Sequence, residues 1–129
     1  MLLKEYLTEI NRIITDCAEA GLIISSEVMT DIRTEKIGFV KGALVFLDES
    51  ALFFKEYLDL RFHLDKKTYS FHYQDAQAQL RFRYDNAAHK PALGFHDHKH
   101  TPDETLPSTI PHLQDVLDEI VKIYFPECI

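Results

Sequence analysis

The stretch from Tyr69 to Tyr84, YSFHYQDAQAQLRFRY, constrains the fold of this chain more than any other. Its large apolar residues recur at every second position on both sides of a polar middle, which is the period of a β-hairpin and not of a helix. A two-residue turn at Ala76-Gln77 pairs Tyr73 with Leu80, Phe71 with Phe82 and Tyr69 with Tyr84, and gathers all six on one face. The other face then carries Ser70, His72, Gln74, Gln79, Arg81 and Arg83, with His72 across from Arg81 and Ser70 across from Arg83. One face builds a core. The other is polar and basic, and is either solvated or meets an anion.

Around this hairpin the chain reads as helix, strands, helix. Leu3, Tyr6, Leu7, Ile10, Ile13, Ile14 and Cys17 share one face of a helix over residues 2–17, and Gly21 is a stop signal beyond it. Residues 22–34 form a strand with Ile24, Ser26, Val28, Thr30 and Ile32 inward. Strands over 38–47 and 52–61 flank the turn signal Asp48-Glu49-Ser50. A two-residue turn at Glu49-Ser50 pairs Leu47 with Leu52 and Val45 with Phe54 on one apolar face. Glu56 falls on that face too, so it needs a rim position, a partner or a bulge, because an unpaired buried carboxylate is costly. Residues 86–107, with Pro91, Gly94, Pro102 and Pro107, read as a long loop. Residues 108–124 read as a second helix, with Pro111 in its first turn. The expected fold is α+β: an N-terminal helix, a five-stranded meandering antiparallel sheet and a C-terminal helix, with residues 1–129 as one domain.

Composition narrows the function. No apolar run approaches the ~20 residues of a membrane span, and Lys4, Glu5 and Glu9 interrupt the N-terminus where a signal peptide would be apolar. Cys17 and Cys128 form no close-spaced motif, so the expectation is a cytoplasmic protein with reduced thiols. The net charge of -7 argues against a broad nucleic-acid grip and leaves room only for a focused basic patch. No phosphate-binding glycine loop, nucleophile elbow, dinucleotide fingerprint or zinc-finger pattern is present.

Chemistry concentrates between Tyr69 and His100, where five of the seven histidines fall: 72, 89, 96, 98 and 100. In an extended segment His96, His98 and His100 point to one side, and two imidazoles so spaced can share zinc or nickel, with Asp85, His89 or Asp97 completing the set. No metal signature supports this, so no cofactor is the primary expectation. The second constellation is His72, Arg81, Arg83, Asp85 and the 96–100 loop with His98, Lys99 and His100, joined by Glu56 as an orienting carboxylate. Metal-independent RNA cleavage needs a base for the 2′-hydroxyl, an acid for the leaving oxygen and cations for the phosphorane. His72 and one of His98 or His100 suit the first two roles, Arg83 and Lys99 the third, and Asp85 and Glu56 orient the basic groups. The bland alternative is a charged solvent face. Tyr57, Tyr69, Tyr73 and Tyr84 are able to stack on bases but read as core by strand parity.

The strings EYLDLR (Glu56 to Arg61), YSFHYQDAQAQLRFRYDNAAH (Tyr69 to His89) and HDHKH (His96 to His100) resemble the TumE-like family of small bacterial toxins. The resemblance runs from about Leu44 into the last helix, and matches at Glu56, Tyr57, His72, Tyr73, Arg83, Tyr84, Asp85, Asn86, His89, His98, Lys99 and His100. The chain departs from the family pattern at Ala76-Gln77-Ala78, where a glycine-containing turn is usual, and at Ala88, where proline is frequent. The resemblance implies the toxin of a type II toxin–antitoxin pair, encoded beside a helix-turn-helix antitoxin. With the residue chemistry, it makes an RNA-cleaving toxin the leading expectation and RNA a candidate partner. A non-enzymatic protein-binding module and a metal-binding α+β domain are the rivals.

Overall fold

The computed structural model describes residues 1–88 and 94–128. Helix α1 spans Leu3–Glu19, and strands follow at β1 Ile23–Ile32, β2 Ile37–Phe46, β3 Ala51–Asp59, β4 Asp65–Gln74, β5 Leu80–Asp85, β6 His98–His100 and β7 Thr105–Pro107. Helix α2 spans Leu113–Tyr124. Each strand pairs antiparallel with its chain neighbours, so one meandering sheet runs β1 to β7 in order. The sheet therefore has seven strands, not the expected five. The additional pair, β6 and β7, is three residues per strand, His-Lys-His and Thr-Leu-Pro, too short to show the apolar alternation that announces a strand. Thr101 closes the turn between them, its N–H donating to Glu104 O at 2.9 Å. Pro107 is tolerated because β7 is an edge strand with no further ladder to serve. Helix α2 also starts later than residue 108. His112 is its N-cap, and the His112 N–H donates to Asp115 Oδ2 at 3.0 Å.

Both helices cover the same face of the sheet. Leu3, Leu7, Ile10 and Ile14 of α1 and Leu113, Val116, Leu117 and Ile120 of α2 share a core with Val40, Leu44, Leu52, Phe54, Phe71, Tyr73 and Phe82. Gly42 makes room in that core, since a Cβ there would lie 2.4 Å from the Phe54 ring. The other face has no cover among the described residues.

Two registers differ from the sequence expectation. Leu44, not Leu47, pairs with Leu52, a shift of three residues. The connection is longer than two residues: Phe46 N–H donates to Ser50 O at 2.9 Å, and Glu49 takes φ 67°. A shift by an odd number turns a strand over, so Leu44 and Phe46 are buried while Leu47 is exposed. In the hairpin, Tyr73 pairs with Phe82 and Phe71 with Tyr84, a shift of two that keeps these rings on the helix side. An irregularity between Tyr73 and Gln74 pairs Leu80 with Gln74 and turns Arg81 from the expected polar face toward Tyr73 and Tyr124. The turn there is shaped by Asp75, whose Oδ1 accepts from the N–H of Gln77 and of Gln79, each at 2.9 Å. Ala78 sits at φ 63°. β1 is the other edge strand. Val28 and Thr30 pair with Gly42 and Val40 on the helix-side face, yet Ile24, Val28 and Ile32 are exposed rather than inward.

Glu56 lies on the helix side and is fully buried. Tyr6 Oη donates to its Oε1 at 2.6 Å, and Lys66 Nζ stands 2.6 Å from its Oε2. A register shift between Tyr57 and Leu58 turns Lys66 inward with Tyr69 and Phe71. Its ammonium also donates to Pro111 O at 2.7 Å, tying the sheet to the start of α2. Of the three options for Glu56, the partner is the one realised.

Candidate active site on the open face

The open face takes its chemistry from the register of β4, β5 and β6. His72 is the cross-strand partner of Arg83, and Arg83 of His100. The three residues stand abreast, with Arg83 in the middle. At a strand spacing of about 4.8 Å, the two histidine backbones are about 10 Å apart. One step along the strands, Ser70, Asp85 and His98 form a parallel row.

Contacts join these rows. Arg83 Nε donates to Asp85 Oδ2 at 2.8 Å, and Arg83 Nη1 lies 3.4 Å from His72 Nδ1. Asp85 Oδ1 lies 3.3 Å from both His98 Nδ1 and His100 Nε2. Burial raises the Asp85 carboxyl, but hydrogen bonds from Arg83, His98 and His100 outweigh it and hold the group below the ordinary carboxylate range. His98 is buried and its Nε2 lies 2.9 Å from Phe95 O, so both ring nitrogens face acceptor oxygens. His72 Nε2 lies 3.1 Å from Gln74 Oε1. That acceptor places the proton on Nε2 and leaves the Nδ1 lone pair toward Arg83.

The structure thus brings together His72, Arg83, Asp85, His98 and His100, and separates them from Lys99 and Glu56. Lys99 alternates to the helix side, where its ammonium lies 2.9 Å from Glu119 Oε2 and over the rings of Phe82 and Tyr84. Asp97 turns the same way and accepts from Tyr69 Oη at 2.8 Å. Burial first, then this carboxylate, pushes the Tyr69 phenol upward. These contacts fasten β6 from behind and hold His98 and His100 over β5. Arg81 is engaged as well: Nη1 donates to Tyr73 Oη at 2.7 Å, and its guanidinium lies 4.1 Å from the Tyr124 ring centre. His96 is exposed, and His89 lies outside the described residues.

Asp85, His98 and His100 each offer a ligand atom, and these atoms lie within 4.8 Å of one another. This is a His–His–carboxylate set capable of coordinating a metal ion. It differs from the set expected at His96, His98 and His100, because Asp85 stands in place of His96.

An open groove of about 850 Å³ adjoins the His72–Arg83 end of the site, lined by Met29, Lys41, Phe53 and Lys55 as well. The sequence reading passed over Lys41, Lys55 and Phe53. Their signal was the β2–β3 register, which sets Lys41 directly opposite Lys55. Tyr57 is on this face too and is exposed, whereas Tyr69, Tyr73 and Tyr84 are buried as their parity indicates.

No described helix is long and apolar enough to cross a membrane. No curated protein and no solved structure matches the chain. Residues 10–124 match the sequence profile of the family described as Toxin TumE, which covers the sheet, the open-face cluster and most of both helices. The chain belongs to the TumE toxin family, the toxins of toxin–antitoxin pairs.

Proposed function

We propose that this toxin is a ribonuclease that cleaves RNA through its own 2′-hydroxyl, with no metal in the reaction. The observation that carries the reading is the row His72–Arg83–His100 across one exposed face. In-line displacement at phosphorus wants a base on one side, an acid on the other and a cation between them. His72 Nδ1 takes the 2′-hydroxyl proton as the oxygen attacks phosphorus. The bond from phosphorus to the 5′-oxygen breaks, and His100 gives that oxygen a proton. The products are a 2′,3′-cyclic phosphate and a free 5′-hydroxyl. Arg83 faces the phosphorane with its planar donor fork. Asp85 and His98 are positioning residues: Asp85 holds Arg83 and His100, and His98 braces Asp85 from a buried site. Separate His72→Ala, Arg83→Ala and His100→Ala variants test the assignment. Each is expected to lose growth inhibition and RNA cleavage while melting like the wild type. Full toxicity in all three would end it.

The Asp85–His98–His100 cluster favours one second reading, a zinc or nickel centre. Metal analysis of protein purified without a histidine tag decides it, since finding no stoichiometric metal removes the centre. The antitoxin partner is proposed to be a helix-turn-helix protein, as the family resemblance implies. Co-purification with the product of the adjacent reading frame checks this.

A further inference from the structure

The basic groove next to the histidine row holds a second, unexplained pattern. Lys41 and Lys55 are direct cross-strand partners on the open face, and both are exposed. Like charges set directly opposite destabilise a sheet. Neither ammonium has a carboxylate partner among the described residues, although the chain carries 21 acidic side chains. Along β3 the open-face positions read Phe53, Lys55, Tyr57, so exposed rings flank one member of the pair. Phe53 is 44% and Tyr57 52% exposed. The Tyr57 ring is braced by Phe39, with centres 4.5 Å apart, and Phe53 lies beside His72, at 6.4 Å. Two large exposed rings and two unpaired cations on one sheet face, in a chain of net charge -7, are poorly explained by folding alone.

We infer that this face is a platform for single-stranded RNA, laid along β3 from Tyr57 past Lys55 to Phe53 and delivered there to His72 and Arg83. The inference rests on the ribonuclease reading and names its substrate class. Unstacked bases lie on the exposed rings, and the backbone phosphates meet Lys41, Lys55 and Arg83. An RNA duplex does not suit the surface, because its bases are stacked inside and cannot reach the rings. Lys41, Lys55 and Arg83 gather along the groove in a chain of net charge -7, and such a local cluster on an acidic body favours one track for a polyanion.

The test uses the full chain and a fluorescent 2′-O-methyl oligouridylate, which lacks the hydroxyl the proposed cleavage requires. Wild type is expected to bind it and to bind the same sequence poorly as a duplex. Phe53→Ala and Tyr57→Ala are each expected to weaken binding about 10-fold, within the range for loss of one stacked base. Lys41→Gln and Lys55→Gln are each expected to flatten the slope of log affinity against log salt by about 0.7. Lys4→Gln, on the solvent side of helix α1, is expected to change nothing. All five side chains are exposed, and thermal melts confirm that each variant folds.

Wild-type affinity in the ring and lysine variants overturns the inference, as does a groove that binds an acidic peptide and ignores the oligonucleotide. Cleavage of ordinary RNA separates the two readings. A chain that binds the methylated strand as described but leaves ordinary RNA intact keeps the platform and refutes the ribonuclease. Cleavage with unchanged KM in Phe53→Ala and in Lys41→Gln/Lys55→Gln keeps the ribonuclease and refutes the platform.

Discussion

Two carboxylates on opposite faces of one sheet are built from similar parts and have opposite surroundings. Glu56 is sealed between the sheet and the helices, with Tyr6 and Lys66 as partners and no solvent exposure. Asp85 is held by Arg83, His98 and His100 on the uncovered face, and Arg83 opens directly into a groove. Burial and then Glu56 drive the Tyr6 phenol far upward, so that hydroxyl keeps its proton. A pair walled in on every side is committed to the fold. A cluster whose outer members reach solvent is able to exchange its partners for those of a substrate.

The comparison breaks most sharply at Glu56. Glu56→Ala strands the Lys66 ammonium, whose side chain is 2% exposed, and is expected to cost about 3–5 kcal/mol in denaturant melts. Replacing both charges, as Glu56→Leu with Lys66→Met, is expected to recover most of that. Arg83→Ala is the counterpart on the open face. It is expected to lower cleavage by about 100- to 1,000-fold and to cost less stability than Glu56→Ala, because the buried Asp85 keeps His98 and His100 as partners. Similar stability losses at the two sites would erase the distinction.

Acidification sharpens it further. The folded Asp85 carboxyl lies below its ordinary value of 3.8. Its contribution is therefore fully present above about pH 4 and is lost as pH falls through the lowered folded value. Asp85→Asn is expected to flatten the stability profile between pH 5 and 3, which melts across that range measure. An unchanged profile would mean that the contacts around Asp85 do not favour its ionised form. The smallest effect is at Ala78, where a left-handed φ of 63° strains an alanine. Ala78→Gly is expected to add up to about 1 kcal/mol of stability and to leave cleavage unchanged.

The sequence disclosed some of this and hid the rest for physical reasons. The hairpin faces were legible because aromatic alternation is immune to a register shift of two. The β2 face was not, since Glu49 adopts φ 67° with no glycine to mark it, and the longer turn reversed the parity of β2 against β3, whose Leu52, Phe54 and Leu58 face inward as expected. That reversal concealed the face of Lys41 and its pairing with Lys55. The three-residue strands β6 and β7 carried no apolar period, so they read as loop. Lys99 was grouped with His98 and His100 for that reason, and strand alternation separates it from them, toward Glu119. Glu56 shared an apolar stripe with Leu52, Phe54 and Leu58, and its buried partner Lys66 became visible only through the bulge in β4.

The most direct test of the open-face account is the chemistry of the cut ends. Purified toxin is incubated with single-stranded RNA in excess EDTA, beside the Arg83→Ala variant, and the termini are analysed. The account predicts 2′,3′-cyclic phosphate and 5′-hydroxyl ends from the wild type, undiminished by the chelator, and almost none from the variant. Intact RNA, or cleavage that the chelator abolishes, would contradict it.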